Sequence, residues 1–487
     1  MIDFSKKIFK WGPIDGSILF MSYPIFAMFK DQKNRYGFGW PEGYLLFQKE
    51  KVTWINDMEA LLEVSKDFTK KYIFNKNKKD AFLEEFIKTE KKLVRMFESF
   101  SDFSFRNSSP ELAKNFFAFS KIYDEFWISW GTIEFVNFGL EENLRRRLES
   151  EVADSFVVDE IFVLLSTPVG HTFYRQEEKE LIEILFLPKE KWNYALKEHA
   201  KKYFWILNSY LSSQVLTDTF FRNELLRLQK EDYQKIYSEI IQYGEKMRAE
   251  KNDCMSKYSL SKETMRLACL LEQFIIMQDT RKKNNFIADH YIDFFVNDFS
   301  LQFGISVNDL RYLMFQELLL LADGGDVDQY QIRIKERKEN PTIIYFKDNE
   351  SWKILSSAER EVVFQSLDRS LAYQHGQLIQ GIVASIGKSK YFRGRVRCIF
   401  SSKEIGKIIP GEILVTPMTA PDYIMGMKTA GAIITDEGGL TCHAAVVARE
   451  LGIPCIVGTQ YASKALKDGD MVEIHGGRGI IRVLNTQ

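Results

Sequence analysis

The chain has 487 residues, 45% of them apolar, and a formal net charge of −1. That length provides for roughly two to four domains with ample core material. The balanced charge, with Lys and Glu interspersed, excludes both the basic face of a nucleic-acid binder and an acidic solvating tail. Cys254, Cys269, Cys398, Cys442 and Cys455 are odd in number and form no C-x-x-C pair. This argues against a disulfide framework or a structural zinc site and fits a reducing cytoplasm. The N-terminus lacks a signal-peptide pattern. The most apolar early run, 18–29, is interrupted by Ser22 and Pro24 and is too short to span a bilayer, so no membrane is expected.

In chain order, residues 1–325 read as one large, mostly α-helical domain that binds an acceptor or docks a partner. Its first 50 residues, with Trp11, Pro24, Trp40 and Pro41, look irregular. A helix is expected from near Asp80, a plausible N-cap, with Phe82, Phe86, Leu93, Phe97 and Phe100 on one face. The aromatic run at 203–210 reads as core packing ahead of a pocket for a flat acceptor. A second helix is expected from about Leu225, striped by Tyr233, Ile236, Tyr237, Ile240 and Met247. A third follows Ser261 with Leu267, Leu271, Phe274 and Ile275. Such stripes are bundle core. The polar run QDTRKK at 278–283 interrupts the third helix. It reads as a solvated helix end with i,i+4 charge pairs, ahead of a face turned to an acceptor or phosphate pocket. His171, His199, His290 and His375 are scattered without metal-ligand spacing, so no metal site is expected.

Residues 326–377 read as a β-hairpin (342–346 and 352–355, turn at 347–350), a polar helix at 358–371, and a linker at 372–380. Residues 378–487 then become Gly/Val/Ile-rich, with Gly381, Gly387 and Gly394 at the entry. Strands are expected at 395–400, 412–416, 432–435, 455–457, 471–474 and 479–484. Helices are expected at 423–429 and 444–451, the latter closed by Gly452. The fold class is therefore multidomain, a helical part followed by a compact α/β (β/β/α) domain.

The stretch GGLTCH at 438–443 carries the chemistry. It sets His443 after a glycine pair and at the start of an Ala/Val-rich helix. Gly438 and Gly439 allow a tight turn and a close approach to an anion. The helix start offers unpaired N–H groups to a phosphate, and Ala444 and Ala445 leave room around the imidazole. Thr441 is placed to hydrogen-bond the imidazole or the phosphate. Arg449 either adds charge or caps the helix. Cys442 reads as a small packing residue, and His475 as part of a surface turn. A neutral imidazole is a competent nucleophile at pH 7, and its phosphoramidate transfers the group onward.

With VTPMTAPD at 415–422, RELGIP at 449–454 and KDGDMVE at 467–473, the segment 378–485 resembles the swivelling phosphohistidine domain of the phosphoenolpyruvate-utilising enzymes. That family includes phosphoenolpyruvate synthase, pyruvate phosphate dikinase and rifampicin phosphotransferase. The resemblance implies that His443 is phosphorylated and that its domain swings between two sites, with a hinge near residue 375. It also implies an ATP-grasp domain and a phosphoenolpyruvate-binding barrel, and neither pattern is found. The chain shows no glycine-rich nucleotide loop. Only about three dozen residues follow the histidine helix, far fewer than a barrel needs.

The expectation is thus a cytoplasmic phosphotransferase component. His443 is loaded from ATP by a separate ATP-grasp-type protein, where Mg2+ would accompany the nucleotide, or from phosphoenolpyruvate. It then serves a small-molecule acceptor near the helical part. No cofactor is assigned to this chain itself. The alternative is a non-catalytic phosphocarrier or regulatory protein that docks a partner enzyme.

Overall fold

In the computed structural model, which describes residues 2–101, 109–347, 351–370, 379–389, 391–440 and 442–484, the N-terminal segment is a sheet rather than irregular chain. Strands β1 (Ile8–Asp15), β2 (Gly43–Gln48) and β3 (Lys51–Asp57) pair antiparallel. The expected hairpin, β4 (Thr342–Phe346) and β5 (Trp352–Ile354), joins them in the order β1-β3-β2-β4-β5. Tyr44, Ile55, Ile343 and Tyr345 pack with Val363 and Leu367 of the helix Ser357–Ser370.

The β2–β3 turn explains why this sheet is hard to read. Gln48 faces Lys51, leaving a two-residue loop. Lys49 and Glu50 hold φ of 49° and 60° in it. Such turns normally advertise themselves with Asn-Gly or Asp-Gly.

The fold has two compact units, each discontinuous in sequence. One comprises residues 1–139, 209–212 and 284–374, and the other residues 140–208, 213–283 and 375–487. The expected boundaries at 325 and 377 are therefore replaced. Residues 43–48 pair with 342–346 in the first unit. The helices at 140–283 fold together with the C-terminal domain in the second. The linker expected at 372–380 and the hinge near 375 fall largely at 371–378, outside the described residues, as does the hairpin turn at 348–350.

Within the first unit, the helix Lys76–Ser101 buries Phe82, Phe86, Leu93, Phe97 and Phe100, the stripe its spacing predicts. In the second unit, the helix expected from Leu225 is two helices, Asp218–Leu228 and Tyr233–Lys257. Asp232 divides them by accepting the Lys235 N–H at 3.1 Å, an N-cap. The helix Lys262–Phe303 runs through the polar stretch at 278–283 without a break. Ahead of that stretch it buries Leu267, Leu271, Phe274 and Ile275.

The C-terminal domain is an eight-stranded mixed sheet ordered β6-β13-β12-β8-β9-β10-β11-β7. Its centre is parallel: β8 (Tyr391–Cys398), β9 (Ile413–Thr416), β10 (Ala432–Thr435) and β11 (Cys455–Val457). β9, β10 and β11 are buried along their whole length, as strands covered on both faces require, with Ile413, Val415, Ile434 and Ile456 fully buried, whereas β8 turns Arg393, Arg395 and Arg397 outward. Antiparallel strands flank them: β6 (Ile379–Gln380), β7 (Ile382–Ser385), β12 (Met471–His475) and β13 (Ile480–Val483). The helix Ile424–Thr429 lies between β9 and β10, and the histidine helix, His443–Leu451, between β10 and β11. β6 and β7 were not anticipated because Gly381 interrupts so short a run.

Candidate functional site

His443 begins its helix just beyond the carboxyl ends of the parallel strands, where open α/β sheets place their ligands. The loops after β9 and β10 are laced together: the Asp436 N–H donates to the Thr416 carbonyl at 3.2 Å and the Glu437 N–H to the Pro417 carbonyl at 2.9 Å. Gly438 makes the turn between them with φ of +112°, and a Cβ there would lie 2.8 Å from Cys442 Sγ. Glycine is required at that position. Gly439 has no positive φ and open space around it, so its expected share in shaping the turn is not needed. Thr441 lies outside the described residues.

The His443 side chain is buried, at 9% exposure. Its Nδ1 lies 3.1 Å from Thr419 Oγ1, and its Nε2 is buried without a hydrogen-bond partner. Burial, reinforced by the nearby Lys282 ammonium, holds its pKa well below the ordinary histidine value. The imidazole is therefore neutral at pH 7. In the tautomer whose Nδ1–H donates to Thr419, the lone pair resides on Nε2. The Ala444 and Ala445 N–H groups bear on the sulfur of Cys442, the N-cap residue, and the positive end of the helix dipole lies at His443. Burial pushes the Cys442 thiol up, which keeps it protonated and inert.

Arg449 Nε donates to the Ala384 carbonyl of β7 at 2.7 Å, while its two terminal guanidinium nitrogens are buried without a hydrogen-bond partner. It fastens the end of the histidine helix to the sheet.

His443 opens on a small cavity of about 30 Å³ walled also by His171, Thr172, Tyr174, Asp279 and Lys282. Ile275, Ile276 and Val447 supply the apolar part of the wall. Gln278, Asp279 and Lys282 of the polar run thus line the cavity. The helix Phe173–Leu185 seats the histidine domain. Thr172, its N-cap, donates its N–H to Glu450 Oε1 at 2.9 Å and its hydroxyl to Oε2 at 2.7 Å. Lys428 Nζ pairs with Glu178 at 3.0 Å. The Tyr174 ring meets the His443 ring edge-on with centroids 6.1 Å apart.

These carboxyls are electrostatically distinct. Burial works to raise Glu178, but Lys428 and Arg175 outweigh it and hold it low. Burial pushes Glu450 up to about 7 against its bonds from Thr172, with Asp279 adding repulsion. Burial likewise pushes Asp279 up to about 6, although it accepts the Phe173 N–H at 2.9 Å.

Sequence reasoning missed Thr419, His171, Tyr174, Lys282 and Glu450 as members of one site, because four elements distant in sequence bring them together. Charged residues inside an apolar helix, at 278–283, were the one local signal. Among the described residues, no group of three or more His, Cys, Asp or Glu side chains is arranged to hold a metal ion, and no helix is long and apolar enough to cross a membrane.

Residues 408–479 match the family profile of the mobile domain of PEP-utilising enzymes. A probable phosphoenolpyruvate synthase of Archaeoglobus fulgidus is 55% identical over 104 residues, 21% of this chain and 13% of that protein. The phosphoenolpyruvate synthase of Pyrococcus furiosus is 53% identical over 104 residues, covering 21% and 12%. That of Escherichia coli is 42% identical over 118 residues, covering 24% and 14%. The matched segment thus spans about one-eighth of these curated relatives. Among solved structures, an Enzyme I (nEIt) protein aligns over 65% of this chain and 83% of its own at 14% identity, with a TM-score of 0.18.

Proposed function

With the mobile domain of a PEP-utilising enzyme as its C-terminal part, we propose that the chain is a phosphotransferase component that carries a phosphoryl group on His443 Nε2. The acceptor is a small molecule held in the cavity walled by the helices of residues 140–283. The donor is phosphoenolpyruvate, or ATP bound with Mg2+ on a separate ATP-grasp-type protein.

The observation that supports this reading most is the small, polar-studded cavity in front of His443. A docking protein needs only a flat exposed face, so the cavity favours an acceptor site over a purely regulatory phosphocarrier. The chemistry follows from the side chains. The unpartnered Nε2 attacks phosphorus. The Nδ1 proton, held by Thr419, makes neutral imidazole the leaving group on the way out. The Lys282 ammonium and the positive end of the histidine helix offset charge on the transferring oxygens, where positioning and electrostatics account for most of the catalysis.

The test is incubation with 32P-labelled phosphoenolpyruvate, and with labelled ATP plus an ATP-grasp protein. Acid-labile, base-stable label is expected on His443 and absent from His443→Ala. If no donor labels the wild-type protein, the proposal fails.

A further inference from the structure

His171 lies on the wall of the same cavity as His443, and nothing in the carrier chemistry employs it. Its Nε2 is 3.0 Å from the carbonyl oxygen of Ile240 in the helix Tyr233–Lys257. A carbonyl can only accept, so that nitrogen bears the ring proton. In neutral imidazole the lone pair then resides on Nδ1. This Nδ1 is buried and has no hydrogen-bond partner. The Tyr243 ring packs on the imidazole with centroids 5.3 Å apart, and the Tyr243 hydroxyl donates to the Pro168 carbonyl at 3.0 Å. The ring is therefore held in place with one basic nitrogen unengaged.

The Ile240 carbonyl favours a second proton on His171, but the groups that oppose it prevail. Burial keeps the imidazole neutral, and Arg175 and Lys179 add to this. Lys282 and neutral His443 share the cavity, and Asp279 on the same wall is raised by burial.

Resting on the phosphotransferase reading above, we propose that His171 is the general base of the acceptor half-reaction and that the acceptor is a neutral hydroxyl compound with an apolar body. An anionic acceptor, such as a carboxylate or a phosphate, already presents a nucleophilic oxygen and needs no base. It would also meet a wall that is apolar on one side, at Ile275, Ile276 and Val447. A hydroxyl must lose its proton as it attacks, and a base placed for this contributes about 10²–10⁴-fold. In the step, the hydroxyl oxygen forms the new O–P bond while the P–Nε2 bond of phospho-His443 breaks. The P–N electron pair returns to Nε2, leaving neutral imidazole with its proton on Nδ1. The hydroxyl proton passes to His171 Nδ1. The resulting imidazolium keeps its Nε2–H on Ile240 and later loses the extra proton to solvent.

The test uses the full chain with His443 loaded by a phosphoryl donor, phosphoramidate included. Water and methanol, small enough to enter the cavity, are the probe acceptors. Discharge of His443 and formation of methyl phosphate are followed by 31P NMR. His171→Gln places its amide nitrogen near the position of Nε2 and retains the bond to Ile240, but it supplies no basic nitrogen. It is expected to load normally and to discharge at least about 10²-fold more slowly. The wild-type rate should rise as His171 deprotonates, and the variant's should not. Added imidazole should restore discharge in His171→Ala, which a merely structural role would not allow. Equal discharge in wild type and His171→Gln, or faster discharge by inorganic phosphate or pyruvate than by methanol, overturns the proposal alone. A His443 that accepts no phosphate from any donor overturns the reading beneath it as well.

Discussion

Replacing Glu450 with glutamine removes a titrating carboxyl while leaving an amide oxygen to accept from Thr172. In the seated histidine domain, Glu450 has its pKa raised from 4.5 to about 7, chiefly by burial. A carboxyl raised in this way contributes stability that is complete below its unperturbed pKa and is lost as pH rises through the folded value. Seating of the histidine domain should therefore weaken between pH 4.5 and 7 and level off above. At roughly 1.4 kcal/mol per pH unit, that window is worth about 3 kcal/mol as a ceiling. Partial exposure of the residue brings this nearer about 2 kcal/mol.

The Thr172 amide reports the contact directly, since it donates to Glu450 and not to its own helix. Hydrogen exchange of a peptide covering residues 169–176, compared between variant and wild type at each pH, is the assay. Glu450→Gln should be protected about 10- to 30-fold more than wild type at pH 8 and equally at pH 4.5. Lys428→Ala, which breaks the pair with Glu178, should lower protection by a similar factor at both pH values. Identical exchange in Glu450→Gln and wild type across this range would refute the argument that burial of this carboxyl opposes seating.

Three further outcomes follow from the site. Thr419→Val leaves His443 Nδ1 unpaired, and an unsatisfied buried polar group costs about 1–3 kcal/mol. His443 phosphorylation should slow about 10- to 100-fold while the melting temperature moves little. Gly438→Ala must adopt φ of +112° and crowd Cys442 Sγ. A loss of about 1–2 kcal/mol in chemical denaturation is expected, together with impaired phosphorylation. Cys442, its thiol raised by burial, should resist alkylation at pH 7–8 in the folded protein, while the exposed Cys269 reacts.

The C-terminal domain was legible because its signals are local. Short apolar strands alternate with glycine punctuation, and Gly452 closes the histidine helix with φ of +64°. β10 and β11 fall where the pattern places them. The N-terminal sheet was not legible. Its tightest turn is built on Lys49 and Glu50, and its third pairing joins Tyr44 to Tyr345 across the length of a domain. Periodicity carries no information about such a partner. The same holds for the site. His443 stood out through its flanking glycines, but Thr419 is ordinary until the 416–419 loop is laced to the turn. His171 is ordinary until the Ile240 carbonyl accepts its Nε2–H.

Glu450 and His443 occupy opposite ends of one nine-residue helix, so the pin and the reactive nitrogen are joined by a rigid arm about 10 Å long. Angular play at the pin becomes displacement at the nitrogen: a tilt of about 3° moves Nε2 by about 0.5 Å, and about 1 Å of misplacement is enough to cost a reaction 10²-fold. Thr172, Tyr174 and Glu178 meet the C-terminal domain at three points along a single helix. The placement of the His443 nitrogen is thereby set by the straightness of two helices rather than by the strength of any one contact.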